Sequence, residues 1–360
     1  NLSQEGYATA AFVSSIAVDS RTGLDQGFQV YDDDLFPWIG GFAEITWVRF
    51  AIRVMMRFGN PTDFSFLLER PAPVTIERAL RWLDGVPERP FFMWVHMFEP
   101  HSPYESHGGD ASNDVDHRWI LSNEEQFEYT DPVREQLRHL YAQEVAFTDL
   151  QLGTLVAGVE EELQGRPLII VVVADHGEML GEHGVEFNHH GIWDDAVQIP
   201  LIVVPHDEAS KTGRVGAQVR LMDVSATLLA LLGLSPMEHS EGGDLMRFVD
   251  DDTLVGFPIL LMGRKTASLS EGTLLGMRAT KAESAGNLKY ILDADSGEGM
   301  LFDLLSDPEE TEDVSGVQTD AVEKLRMRVL SEASEVVSGV PDAGLDAGTA
   351  AGLKALGYIE

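Results

Sequence analysis

Apolar residues along this chain fall into unbroken runs, helical stripes and polar gaps. Residues 8–14 (ATAAFVS) form one run, 91–98 (FFMWVHMF) a second, 168–174 (LIIVVVA) a third and 199–204 a fourth. The third is the most regular. Its seven residues are mostly β-branched, do not alternate, and are bounded by Pro167 and by Asp175-His176-Gly177. That pattern predicts a strand covered on both faces, as in a parallel sheet. Between the runs lie stripes of helical spacing. Apolar positions 76, 79, 80 and 83, following Pro73, predict a helix over 74–83. Positions 137, 141, 145, 152, 156, 159 and 163 predict a long helix over 133–163, which Gly153 and Gly158 are expected to bend or break. Residues 221–232 (LMDVSATLLALL) predict a helix stopped by Gly233. Strands alternating with helices in this order give an α/β fold: a mixed, mostly parallel sheet with helices on both faces.

Other stretches are less regular. Residues 23–33 read as a glycine-punctuated loop, 36–66 as an aromatic, Arg- and Met-rich segment without an assigned role, and 105–131 as a long polar surface loop. From about residue 240 the texture changes. Acidic turns separate strand-like runs at 253–262, 272–279, 289–292 and 300–305, and a helix is expected over about 317–337. This predicts a smaller antiparallel sheet with a packed helix. The expected organisation is a main α/β domain over 1–240, an α+β subdomain over 241–340 and a loosely held Gly/Ala-rich tail over 341–360.

Charge narrows the range of partners. The net charge is −35, from 60 acidic and 25 basic residues among 360. That argues against nucleic-acid binding, which needs a basic face. It suits an acidic surface for salty surroundings, or a field that steers cations. An anionic substrate would be repelled unless a metal ion or local cations overcame the field. No apolar run approaches the roughly 20 residues needed to span a bilayer. There is no cysteine, hence no disulfide and no thiol nucleophile. Residues 1–7 read as the inside of a helix-to-strand connection, so the chain is expected to start in mid-domain.

Candidate chemistry gathers after the third run. A carboxylate and an imidazole at a strand end, Asp175 and His176, can ligate a cation where Gly177 lets the backbone turn. His183, His189 and His190 follow, in a chain with only 11 histidines. His189 and His190 can bind an anionic oxygen or protonate a leaving group. His101, held in Pro-His-Ser-Pro, ends the second run. Plain alternatives accompany each: structural turns for Asp175-His176 and His101, a solvated pair for His189-His190. His96 reads as a satisfied core histidine, and Glu178, Glu182 and His183 as one helical face without chemistry.

Four segments in order then resemble sulfatases of the alkaline-phosphatase superfamily: GYATAAFVSS…GLDQGFQVYDD, RPFFMWVHMFEPHSPY, VVVADHGEMLGEHG…WDDAVQIPLIVV and MDVSATLLALLGL. LKYILDADSGEGMLFDLLSDPEE and the terminal LKALGY are weaker matches. The resemblance implies metal-dependent hydrolysis of sulfate esters. It also implies a calcium ion, with zinc or manganese as alternatives, for which Asp175 and His176 match the later ligand pair. His101 matches the histidine that contacts the sulfate group. His189 stands four before Trp193, where sulfatases commonly have Lys; His190 takes that place if the His-Gly pair sets the register. Histidine in this loop is commoner among members that cleave phosphate or phosphonate esters, so a phosphoric or phosphonic ester hydrolase or transferase is the alternative. A non-catalytic interaction protein is the alternative of another class. The family's Cys- or Ser-x-Pro-Ser-Arg turn, whose first residue becomes the formylglycine nucleophile, does not occur in these residues. A fragment inactive by itself is therefore expected. The family also implies a periplasmic or secreted setting.

Overall fold

The structure is a computed structural model that describes residues 2–35, 69–86, 89–107, 115–122, 127–206, 213–238, 240–250, 254, 256–264, 273–279 and 287–339. The expected features at 36–66 and in the tail lie outside these residues. The chain divides into two compact units, residues 1–166 with 342–360, and residues 167–341.

In the first unit, strand β1 (Ala8–Phe12) is flanked in parallel by β2 (Val30–Asp32) and β3 (Phe91–Val95), in the order β2-β1-β3. The central strand is buried along its whole length, which suits its small and apolar residues, and its one hydroxyl, that of Thr9, donates to the Gly27 carbonyl at 3.0 Å. Strand β2 corrects the reading of 23–33 as loop throughout. Its three residues have no period of their own and are strand only because they pair with Ala10–Phe12. Helix α1 (Ala72–Asp84) starts after Pro71, with Pro73 in the first turn where no backbone donor is lost. Its stripe of Ala72, Thr75, Ile76, Ala79 and Leu83 is buried, and Ala79 packs on Ala10 and Phe12.

The 105–131 region is more than a polar loop, since it contains a short helix, α2 (His117–Ser122), with His117 and Ile120 buried. Helix α3 (Asp131–Leu163) then runs 33 residues without interruption. The two glycines do not break it. Each costs a helix about 1 kcal/mol relative to Ala, which packing of Leu137, Leu140, Leu155, Val159 and Leu163 outweighs. Gly158 serves close packing instead, because a Cβ there would lie 2.6 Å from Leu80 of α1. Helix α3 ends at Gln164 and Gly165, both with positive φ.

In the second unit, β4 (Ile170–Val173) pairs antiparallel with β5 (Leu201–Val204), Ile170 opposite Val204. The expected strand at 168–174 is present but shorter, its pairing is antiparallel where a parallel one was expected, and it is not covered throughout: Val173 is 38% exposed. Between these strands lies a short helix, α4 (Asp194–Val197). Helix α5 (Asp223–Leu231) follows and gives way to Gly233 at φ +67°. After the short helix α6 (Arg247–Asp250), a four-stranded antiparallel sheet forms from β6 (Ile259–Arg264), β7 (Thr273–Arg278), β8 (Leu288–Asp293) and β9 (Gly299–Asp303) in sequential order. Helix α7 (Thr319–Gly339) covers one face with Leu325, Val329 and Ala333, against Met277, Tyr290, Leu292 and Leu301. On the other face Leu274, Ile291, Phe302 and Leu304 enclose Ile192, from the loop before α4. The mixed α/β architecture with a separate antiparallel sheet is thus the one expected.

Candidate active site

The first unit carries His96, Glu99 and His101 beyond the end of β3. His96 continues the pairing, its N–H donating to the Phe12 carbonyl at 2.9 Å, and its Nδ1 lies 3.1 Å from the Ser14 hydroxyl. It is a satisfied histidine, as expected, though half-buried. Glu99 accepts from the backbone N–H of Ala72 at 2.9 Å, placing a carboxylate at the start of α1, and burial pushes its pKa up. The Glu99-Pro100 and Ser102-Pro103 bonds are both cis. Between them, the His101 ring packs on Phe98 with centroids 4.4 Å apart, and its Nδ1 lies 2.6 Å from the Ser102 carbonyl oxygen. A carbonyl can only accept, so Nδ1 carries the proton and the neutral ring's lone pair sits on Nε2.

The second unit holds the remaining candidates together. At the end of β4, Asp175 is 65% exposed at its side chain and caps the His176 N–H at 3.0 Å. His176 Nδ1 lies 2.8 Å from the Gly177 carbonyl oxygen. By the same argument its Nε2 bears the lone pair, and it lies 3.7 Å from Asp175 Oδ1. A backbone carbonyl fixing the far nitrogen is the usual orientation of a metal-ligating imidazole. Gly177 has no alternative, because a Cβ would collide with the Asp195 carbonyl, and its N–H donates to Ala196 O at 2.7 Å.

The His189 ring stacks on His176 with centroids 4.2 Å apart and planes 25° apart, and His190 stands edge-on to His189 at 5.3 Å. A backbone bridge between Met179 and Asn188 folds the loop back, and the Asn188 side chain accepts from the His190 N–H at 3.1 Å. Asp175, His176, His189 and His190 are therefore brought together, while His101 belongs to the other unit.

Residues 178–183 are not the expected helical face. Gly181 at φ +109° and His183 at φ +54° break the path, leaving a single tight turn over Glu182–Gly184. His183 lies flat on Trp193, with centroids 3.9 Å apart and planes 6° apart.

A buried ionic group beside this loop was missed by sequence reasoning. The Lys289 ammonium lies 2.7 Å from Asp194 Oδ1 and 2.7 Å from Glu310 Oε1. Arg278 reaches Asp194 Oδ2 at 2.9 Å. Burial raises the pKa of Glu310 and the Lys289 ammonium opposes it. The one signal in the sequence was a lysine inside the apolar run LKYIL.

The chemistry available is a carboxylate and an oriented imidazole able to hold a cation, with a second imidazole against the first. A divalent ion suited to mixed oxygen and nitrogen donors fits them.

The sulfatase family model matches residues 3–234, which include His101, Asp175, His176, His189 and His190 but not Lys289 or Glu310. An ulvan-active sulfatase of Formosa agariphila is 26% identical over 237 residues, 64% of this chain and 44% of that protein. A choline-sulfatase of Rhizobium meliloti is 26% identical over 251 residues, 63% of this chain and 46% of that protein. The chain thus spans less than half the length of these two relatives. Among solved structures, a phosphonate monoester hydrolase from Silicibacter pomeroyi has the same fold, with a TM-score of 0.63 at 17% identity over 95% of this chain and 80% of that one. The family match covers well over half of the chain and runs through both strand ends that carry the histidines, so the chain belongs to the sulfatase family.

Proposed function

We propose that this chain is the part of a sulfuric ester hydrolase that supplies the later metal ligands and the cationic end of the site. The observation that carries the reading is the stack of His189 on His176, beside Asp175 at the end of β4. Asp175 and His176 would hold the ion, which supplies charge neutralisation of the ester oxygens when bound. Calcium is the family's ion, although an imidazole ligand also suits zinc or manganese. His189, or His190 one residue on, stabilises negative charge on the transferred group and protonates the leaving oxygen. By the family resemblance His101, in the first unit, would contact the sulfuryl oxygens. In a chain of net charge −35 a bound ion and the N–H donors of these imidazoles would offset the field that an anionic ester meets.

The family's Cys- or Ser-x-Pro-Ser-Arg turn is not among the 360 residues, so the purified chain is expected to show no turnover of aryl sulfate; chelator-sensitive turnover would overturn that part. The metal reading has its own test. Titration calorimetry with Ca²⁺, Mn²⁺ and Zn²⁺ should give binding that falls at least about tenfold in Asp175→Asn and His176→Ala. Unchanged affinity in both variants would sink it.

A second reading, phosphoric or phosphonic ester hydrolysis, is favoured by one feature. Histidine stands at 189 and 190, where the sulfatase pattern more often has lysine. Parallel assays of the protein completed with its nucleophile segment, on aryl sulfate and aryl phosphate, separate the two by which ester has the larger kcat/KM.

A further inference from the structure

The loop that carries His189 and His190 is held at both ends. Upstream, Met179 and Asn188 exchange backbone hydrogen bonds, with N···O distances of 3.0 and 3.2 Å. Downstream, three consecutive residues are fixed to the antiparallel sheet. Ile192 sits where Gly263 and Gly276 leave room, since a Cβ at either would lie within 2.7 Å of its side chain. The Trp193 ring meets Phe302 at 5.6 Å. Asp194 is gripped from three directions: Glu310 accepts its N–H at 2.6 Å, Lys289 takes Oδ1 at 2.7 Å and Arg278 takes Oδ2 at 2.9 Å. Only residues 189–191 lie between the two anchors, and Gly191, at φ +99°, makes the turn.

Lys289 is the centre of the downstream anchor. Its side chain is fully buried and it joins two carboxylates, those of Asp194 and Glu310. A fully buried ammonium is expensive unless paired, and a well-packed apolar residue would often serve stability as well or better. The geometry instead suits register: one lysine fixes the backbone entry of α4 and the adjoining turn at Glu310 together. We infer that Lys289 is a positioning residue, which sets the His189–His190 loop by clamping Asp194 and Glu310 to the carboxyl-terminal sheet. This rests on the role proposed for His189, but the clamp is tested without any activity.

The test uses the whole 360-residue chain. Imidazole signals of Lys289→Met and wild type are compared by NMR, and amide exchange is followed by mass spectrometry. The ring signals of His183, His189 and His190 are expected to shift or broaden, while those of His96, His107 and His117 stay in place. Exchange over 188–198 is expected to speed up by roughly tenfold or more, and Lys289→Arg to restore much of the protection. A lower melting temperature with loop signals and exchange unchanged would overturn the proposal, since lost stability alone predicts that pattern. If Lys289→Met does not fold, Asp194→Asn, which keeps the backbone and shape, is read the same way. Failure here leaves the metal and ester reading standing, and a failed metal titration leaves the clamp standing.

Discussion

Single atoms decide what the histidines of this chain can do. His101 and His176 each give Nδ1–H to a backbone carbonyl, so that in the neutral ring the lone pair falls on Nε2. His117 is the contrasting case. It accepts the Tyr104 N–H at Nδ1 at 3.0 Å, and burial first, with His101 and Arg118 adding to it, lowers its pKa to about 3. An unfolded imidazole takes a proton near 6.5. Below that pH the unfolded chain therefore binds a proton that the folded chain refuses. The stability due to His117 is complete above pH 6.5 and is lost as the pH falls towards 3, at about 1.4 kcal/mol per unit where the effect is full. Its ring is expected to show no titration down to pH 4 in histidine-labelled NMR spectra; a midpoint near 6 would contradict the buried neutral state. At this scale, Asp175, His176, His189 and His190 were legible in the sequence because polar residues stop an apolar run and cluster after it. Lys289 and Glu310 were not. A lysine in LKYIL reads as solvent-facing by strand alternation, and only a sheet covered on both faces buries Leu288–Leu292 whole.

Elements were readable where their period was long. Helices α1, α3 and α7 and the four strands of the antiparallel sheet lie close to where spacing put them. What failed were β2, which exists through its remote partner β1, and the turn at 182–184, where glycine and a positive φ at His183 locally prevent a helix. Helix α3 gives a direct test of why glycines did not break it. Gly153 has nothing within 4 Å of a built Cβ, whereas Gly158 meets Leu80 at 2.6 Å. Gly153→Ala should stabilise the first unit by about 0.5–1 kcal/mol. Gly158→Ala should gain less, or lose, because Leu80 must move. Denaturant unfolding of the two variants distinguishes them; equal gains would show that Leu80 yields freely.

Across the whole chain, the charge of −35 is the dominant long-range term. Self-repulsion on this scale opposes compactness and is screened by salt. The melting temperature is expected to rise by several degrees between about 0.05 and 1 M NaCl, where the Debye length shrinks to about 3 Å; a flat or falling response in scanning calorimetry would show that the acidic residues are already locally balanced. The seating of Ile192 between Gly263 and Gly276 has a different consequence, for recombination between relatives. A histidine loop grafted alone would arrive with a side chain shaped for one sheet and meet another. Exchanged segments must carry residues 188–197 and the strands under them as one module, and chimaeras cut between the two are the ones expected to misfold.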